Sequence, residues 1–336
     1  MTLNRTIKLA ARPVGLPKDS DWNLTEEEAR DPGPDEVLVK VLYLSLDPAM
    51  RGWMADTPSY IPPVGIGETM RAIGVGRVVA SNLADLAEGD HVSSLLGVQE
   101  YATVAGAALQ KVDPSVAPLP VWLSTLGMPG MTAYFGLLDV GRPQEGETVV
   151  ISGAAGAVGS LVGQIAKIKG ARAVGIAGGP EKCSYVTDEL GFDACIDYKA
   201  GSVADGLAQH CPDKIDVYFD NVGGDILDAA LAKLARHARV VICGAISQYN
   251  NESGAMVGPA NYMSLLVNHA SMTGFVFSDY LDRLPEGAAD MGKWFAAGEV
   301  KTREDVVPGL ENFPATLLKL YSGENNGKLV LEVAPE

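Results

Sequence analysis

Val149-Val150-Ile151-Ser152-Gly153-Ala154-Ala155-Gly156-Ala157-Val158-Gly159 is a short apolar strand running into a turn of small residues, and an apolar-periodic segment over 160–169 follows it. Strand, glycine turn and helix in that order make a cradle for a nucleotide. Gly153 permits the sharp turn, Gly156 lets backbone approach a pyrophosphate, and Gly159 lets the helix pack against its sheet. The phosphates would sit on the helix N-terminus, where N–H groups without acceptors and the helix dipole favour negative charge. The spacing is G-x-x-G-x-x-G rather than G-x-G-x-x-G, so the turn alone is also readable as an ordinary tight connection. Its context decides.

That context alternates strands with helices. Arg172–Ala177 reads as a strand, 181–190 as a helix, Ala194–Asp197 as a strand and 203–209 as a helix; Ile215–Asp220 is a strand, 224–235 a helix and 239–243 a strand. Repeated βαβ units with short connections predict an α/β fold, a doubly wound parallel sheet that binds its ligand at the carboxyl ends of the strands. The end of the second strand is the most informative position. An NAD site usually has Asp or Glu there for the ribose hydroxyls, whereas this chain has Ala177-Gly178-Gly179-Pro180. The expected cofactor is therefore NADP(H). Lys182 and Tyr198 are candidates to meet its 2′-phosphate. As solvated surface residues both would be unremarkable, and spacing alone leaves the two readings open.

A chain of 336 residues with 47% hydrophobic content is large enough for two domains. No run of 18 or more apolar residues occurs, which excludes a membrane-spanning helix by length. The segment 1–11 carries Arg5 and Lys8 and lacks the apolar stretch of a secretory signal, so a cytoplasmic protein is expected. Cys183, Cys195, Cys211 and Cys243 are scattered without a C-x-x-C pair, the pattern of reduced thiols rather than a disulfide framework or structural zinc. A net charge of −16 disfavours nucleic acid and anionic membranes as partners.

The first part of the chain has a different texture. Strand-like runs at 36–42, 71–81, 91–94 and 102–105 are separated by turns such as Asp31-Pro32-Gly33-Pro34 and Glu88-Gly89-Asp90, which predicts an antiparallel β domain. An apolar helical stretch over 123–138 leads into the nucleotide domain. After Trp294 no further βαβ unit is expected; a helix at 313–321, the turn Gly323-Glu324-Asn325-Asn326-Gly327 and a strand at 328–333 return to the first domain. The expected division is 1–125, 126–298 and 299–336. The apolar stretch 270–277 reads as an edge strand of the parallel sheet, and such an edge invites pairing with a second copy, so a homodimer is expected.

Several motifs taken together resemble a known family. Ser45-Leu46-Asp47-Pro48, the stretch from Gly127-Met128-Pro129-Gly130 to Leu138, the glycine turn, Phe219-Asp220-Asn221-Val222-Gly223-Gly224 and Cys243-Gly244-Ala245-Ile246-Ser247-Gln248-Tyr249-Asn250 are similar to the zinc-free medium-chain dehydrogenase/reductases. Within them the pattern looks like the NADPH-dependent alkenal double-bond reductases, the group that includes prostaglandin and curcumin reductases. The resemblance implies a GroES-like β catalytic domain, a Rossmann domain, a homodimer, and reduction of the C=C bond of α,β-unsaturated aldehydes and ketones.

It also implies roles where the motifs match. The backbone of Ala155, Gly156, Ala157, Val158 and Gly159 would hold the pyrophosphate, and Lys182 and Tyr198 the 2′-phosphate. Asn221 and Cys243, Gly244, Ala245, Ile246 and Ser247 would border the ribose and nicotinamide. Phe275, Val276 and Phe277 match a strand whose backbone meets the carboxamide, Asn325 a residue that reaches the nicotinamide end, and Met128 and Thr132 residues near that ring. Core packing for Met128, Thr132, Phe275 and Phe277, and a turn role for Asn325, are the structural alternatives.

Tyr249 is the candidate catalytic residue, because a phenol can hydrogen-bond a developing enolate and relay a proton. Walling the pocket or bonding a cofactor phosphate is its alternative. Relatives commonly carry an aromatic residue directly after the Asp-Pro, whereas this chain has Ala49, so the pocket mouth is altered and Trp53 or Tyr60 could refill it. No metal is expected: no cysteine precedes Cys183, the only early histidine is His91, and His210, His237 and His269 show no ligand spacing. A quinone reductase and a non-enzymatic nucleotide sensor on the same scaffold are the rival functions.

Overall fold

Unbroken burial along a strand requires cover on both faces, and two segments of this chain have it. Thr148–Ser152 is buried throughout, with Val149 and Ile151 entering one apolar core and Val150 the other, as the two-residue period of a strand dictates. Eight of the ten residues of Glu36–Ser45 are buried for the same reason, with Val39 and Val41 in one core and Leu42 and Tyr43 in another. Each is the centre of a separate sheet. The computed structural model describes residues 2–336. The chain divides into one unit of 1–124, 252–254 and 304–336, and another of 125–251 and 255–303.

The first unit begins with β1 (Leu3–Leu9) and β2 (Trp22–Glu28), an antiparallel pair that sequence periodicity missed because β2 is largely exposed and ends in three glutamates. β3 (Glu36–Ser45), the short helix α1 (Met50–Trp53), β4 (Ile73–Ser81), β5 (His91–Leu95), β6 (Tyr101–Ala105) and β7 (Gln110–Val112) follow. β3 pairs antiparallel with β4 and with β6.

In the second unit α2 (Met128–Phe135) leads through a wider helical turn, Gly136–Gly141, into β8 (Thr148–Ser152) and α3 (Ala157–Ile168). Then come β9 (Arg172–Ala177), α4 (Pro180–Ser184), β10 (Ala194–Asp197), α5 (Val203–His210), β11 (Ile215–Asp220), α6 (Gly224–Leu231), β12 (Leu234–Ile242), α7 (Met263–Val267), β13 (Ser271–Gly274) and α8 (Leu284–Ala296). The sheet order is β10-β9-β8-β11-β12-β13 and every pairing is parallel, the doubly wound arrangement expected from the sequence. The order reverses between β8 and β11. The crevice for a ligand therefore lies beyond Ser152 and Asp220.

The chain ends in the first unit with β14 (Glu304–Pro308), α9 (Phe313–Ser322) and β15 (Lys328–Glu332). β15 joins β3 antiparallel, and β14 pairs parallel with β15. That overturns the expectation of no βαβ unit after Trp294. β14 begins with two acids and ends in proline, so its composition hides a strand that needs α9 as its crossover. Three further boundaries shift. The expected helix over 123–138 is interrupted, because Pro129 fits only the first turn of α2 and Ser124 before it is non-helical. β12 starts at Leu234 rather than 239, its buried Leu234 and Ala238 being separated by Ala235, Arg236 and His237, which break the apolar run. The edge strand is shorter than 270–277.

Candidate cofactor site

Every strand of the parallel sheet delivers a candidate residue within five positions of its carboxyl end. After β8, Gly153 has φ +62°, a conformation that favours glycine. Gly159, in the first turn of α3, sits so close to the turn that a Cβ there would lie 2.3 Å from the Gly153 carbonyl oxygen. Gly156 is the N-cap of α3 and offers no side-chain cap, and the first helical turn contains no acidic residue. The N–H groups of Ala157, Val158 and Gly159 thus head the helix without intrahelical acceptors, beside the nearly buried Ala155. A pyrophosphate fits such a cradle, and a side chain at Gly159 would collide with the backbone of the turn on which the helix packs.

After β9, Ala177 and Gly178 present no carboxylate, and Gly179 N-caps α4 with φ +96°. Lys182 lies half-buried on α4. Tyr198, the first residue beyond β10, is 43% exposed, and its ring lies over Gly178, where a Cβ would meet its hydroxyl at 2.8 Å. Lys182 and Tyr198 thus come from two adjacent strand ends onto one edge. The Asp197 carboxylate accepts the Gly179 N–H at 2.8 Å and the Lys199 N–H at 2.9 Å. The Gly179 bond above all holds its pKa below the usual value.

Beyond β11 and β12 two segments are laced together. Cys243 and Gly244 donate backbone N–H groups to the Asp220 carbonyl, Ile246 to that of Asn221 and Ser247 to that of Val222. The Ser247 hydroxyl adds a bond to Val222 O at 2.6 Å. The Asn221 amide donates to Ser152 O at 2.7 Å and so spans the point where strand order reverses. Tyr249 folds back on its own segment: its hydroxyl oxygen accepts the Ala245 N–H at 3.0 Å.

Phe275–277 is not a strand. β13 ends at Gly274, Val276 is extended, and a 3-10 turn starts at Phe277, because the Phe275 ring turns inward against Gly136 and Phe219. Met128 opens α2 and Thr132 donates its hydroxyl to the Met128 carbonyl at 2.8 Å. Asn325 belongs to the first unit, where its amide donates to Gly327 O at 2.8 Å within the turn before β15.

A family model described as the N-terminal domain of oxidoreductase matches residues 5–112, and one described as zinc-binding dehydrogenase matches residues 157–294. The NADPH-dependent curcumin reductase of Escherichia coli is 45% identical over 336 residues, covering 98% of this chain and 97% of its own. The NADP(+)-dependent 2-alkenal reductase of Nicotiana tabacum is 39% identical over 339 residues, covering 99% of this chain and 98% of its own. Among solved structures, CurA from Vibrio vulnificus in complex with NADPH superposes with a TM-score of 0.93 at 45% identity, covering 99% of this chain and all of that one. The chain belongs to the NADPH-dependent alkenal double-bond reductase group of the medium-chain dehydrogenase/reductases.

In this alkenal reductase group member, sequence reasoning missed two residues that shape the site. Asp220 is buried, and its Oδ1 accepts from the Ser152 and Tyr218 hydroxyls, both at 2.9 Å, and from the N–H groups of Val222 and Gly223. The Ser152 hydroxyl in turn accepts the Asn221 N–H at 2.8 Å. The two central strands of the reductase are thereby locked where the cradle begins, and burial together with Asp220 pushes the Tyr218 phenol well above its ordinary pKa. A carboxylate closing an apolar strand was the available signal. Asp197 is the second, hidden because it stands one strand beyond the position where a ribose-binding acid is sought. Among the described residues, no group of three or more His, Cys, Asp or Glu side chains is placed to hold a metal ion.

Proposed function

We propose that this reductase uses NADPH to reduce the C=C bond of α,β-unsaturated aldehydes and ketones. The observation that carries the cofactor half is the β9 end, which has no carboxylate and has Lys182 and Tyr198 in its place. The reaction half rests on kinship along the whole chain with an alkenal and a curcumin reductase. Residues 126–298 are the Rossmann NADP-binding domain, and residues 1–125 with 299–336 form the GroES-like catalytic domain. Ala155 to Gly159 hold the pyrophosphate. Asn221, Cys243 to Ser247, Phe275 to Phe277, Met128 and Thr132 border the ribose and nicotinamide, while Asn325 is assigned to the cofactor on the family resemblance alone.

When bound, NADPH supplies a hydride to the β-carbon of the enone. The chain's own task is to hold the substrate carbonyl oxygen, on which negative charge develops. Tyr249 is the donor we assign to that oxygen. Its phenol oxygen accepts the Ala245 N–H, which orients the ring and strengthens the O–H as a donor. A proton at the α-carbon completes the reduction.

We also assign a homodimer. β13 is the outer strand of its sheet and is exposed along its length. Met263, Leu266 and Val267 precede it in the chain on α7, the last two 69% and 74% exposed. A cytoplasmic location is supported by four free cysteines. The test is a panel of enals, enones and quinones incubated with NADPH, with the products identified. Saturated carbonyl products support the proposal; turnover of quinones alone makes the protein a quinone reductase, and NADPH binding without turnover makes it a nucleotide sensor.

A further inference from the structure

We infer that Asp197 is the positioning residue for discrimination between NADPH and NADH, acting through the two loops that carry Lys182 and Tyr198. The inference rests on the assignment of those residues to the 2′-phosphate. Oδ1 of Asp197 receives two backbone N–H groups from different segments, that of Gly179 at 2.8 Å and that of Lys199 at 2.9 Å. The first belongs to the turn that starts α4 and hence sets where Lys182 stands; the second belongs to the residue that follows Tyr198. The Tyr198 N–H meanwhile donates to Ala177 O at 3.1 Å, and its ring covers Gly178 with no room for a Cβ beneath it. Gly179, at φ +96°, has the freedom to aim its N–H back at β10. Cys183 on α4 and Cys195 on β10 pack against the same apolar core, so the helix also rests on that strand.

The charge of Asp197 opposes this role. A carboxylate beside a phosphate repels it, so if Asp197 acted only as a charge, its removal would tighten binding of the phosphate. If it acts as an acceptor that sets loop geometry, its removal weakens that binding. The sign of the effect separates the two.

The experiment is calorimetric titration of the purified protein with 2′,5′-ADP and with 5′-AMP, for the unmodified chain and for Asp197→Ala, Asp197→Asn and Lys182→Ala. Asp197→Ala should weaken 2′,5′-ADP about tenfold, the low end for loss of a charge-assisted hydrogen bond because the carboxylate is half-exposed, with a smaller effect on 5′-AMP. Asp197→Asn keeps an acceptor oxygen and should restore most of the loss. The inference is overturned if Asp197→Ala tightens 2′,5′-ADP, if it weakens both nucleotides equally, or if Asn fails to rescue while retaining the thermal stability of the unmodified chain. An unmodified chain that binds the two nucleotides equally would instead refute the 2′-phosphate assignment itself. Discrimination lost in Lys182→Ala but kept in Asp197→Ala would refute Asp197 alone.

Discussion

Lys328→Met should cost the first unit a large share of a typical domain's stability margin. The Lys328 ammonium is 2% exposed and donates to Asp47 Oδ1 at 2.6 Å and to the Leu46 carbonyl at 2.9 Å, while the Asp47 carboxylate, 9% exposed, also accepts the Ser45 hydroxyl. Methionine preserves the apolar stem and removes the charge. Asp47 is then left as a buried carboxylate without a counter-ion, which costs about 3–5 kcal/mol in comparable sites. At roughly 2–4 °C per kcal/mol for a unit of this size, Tm should fall by about 6–20 °C. Circular dichroism melts of the single variant and of Lys328→Met with Asp47→Leu give the check. The pair replaced by apolar residues should recover most of the loss, because neither charge is then stranded. A single variant melting within 2 °C or so of the parent would refute the view that the Asp47 turn is held by this ion pair, since even about 1 kcal/mol would exceed that shift.

Lys182→Ala should weaken NADPH by about 10- to 150-fold, the range for one charge-assisted hydrogen bond, and leave NADH much less affected in parallel fluorescence titrations. Tyr249→Phe should lower kcat for enones by about 10- to 100-fold with NADPH affinity nearly intact, less than the loss of a donor in a dry oxyanion hole because water and ribose hydroxyls can substitute; an unchanged kcat would reduce Tyr249 to a pocket wall. Burial works against the charge of Glu147, but its bidentate bonds with Arg239 and the Gln144 N–H outweigh it and leave its pKa below the ordinary 4.5. A folded-state pKa below the unfolded one gives stability that is complete above about pH 4.5 and lost as pH falls through the folded value, so Glu147→Gln should lower Tm at pH 7 and converge with the parent in acid. Val267→Asp, at 74% exposure, should shift sedimentation toward the monomer with little change in Tm of the monomeric unit; a parent that is monomeric at micromolar concentration would remove the dimer assignment.

The parallel sheet was legible because its central strands are buried on both faces and its glycines are demanded by geometry. Gly153 and Gly159 fill positions that almost no other residue can take, so the motif survives in a single sequence. β2 and β14 were not legible. Their exposed glutamates and terminal proline give no alternation, and only pairing with β1 and β15 makes them strands. At the site, residues that act from the end of a strand were found, while those that act by organising backbone were missed. Asp197 carries no motif and Asp220 stands in one without a role of its own, and their importance follows from the donors gathered on their carboxylates, the Gly179 N–H on Asp197 and the Ser152 hydroxyl and the Val222 and Gly223 N–H groups on Asp220, which periodicity cannot display. Phe275 misled for the opposite reason: an apolar run reads as strand until a glycine in the facing helix, Gly136, offers its ring a place to pack.

The central claim, hydride transfer to the β-carbon of an enone, is tested most directly by turning over a simple enone with NADPH deuterated at the transferring position of nicotinamide C4 and locating the label by NMR. The account predicts a saturated ketone with deuterium at the β-carbon and a solvent-derived hydrogen at the α-carbon. Deuterium on the carbinol carbon of an allylic alcohol would contradict it.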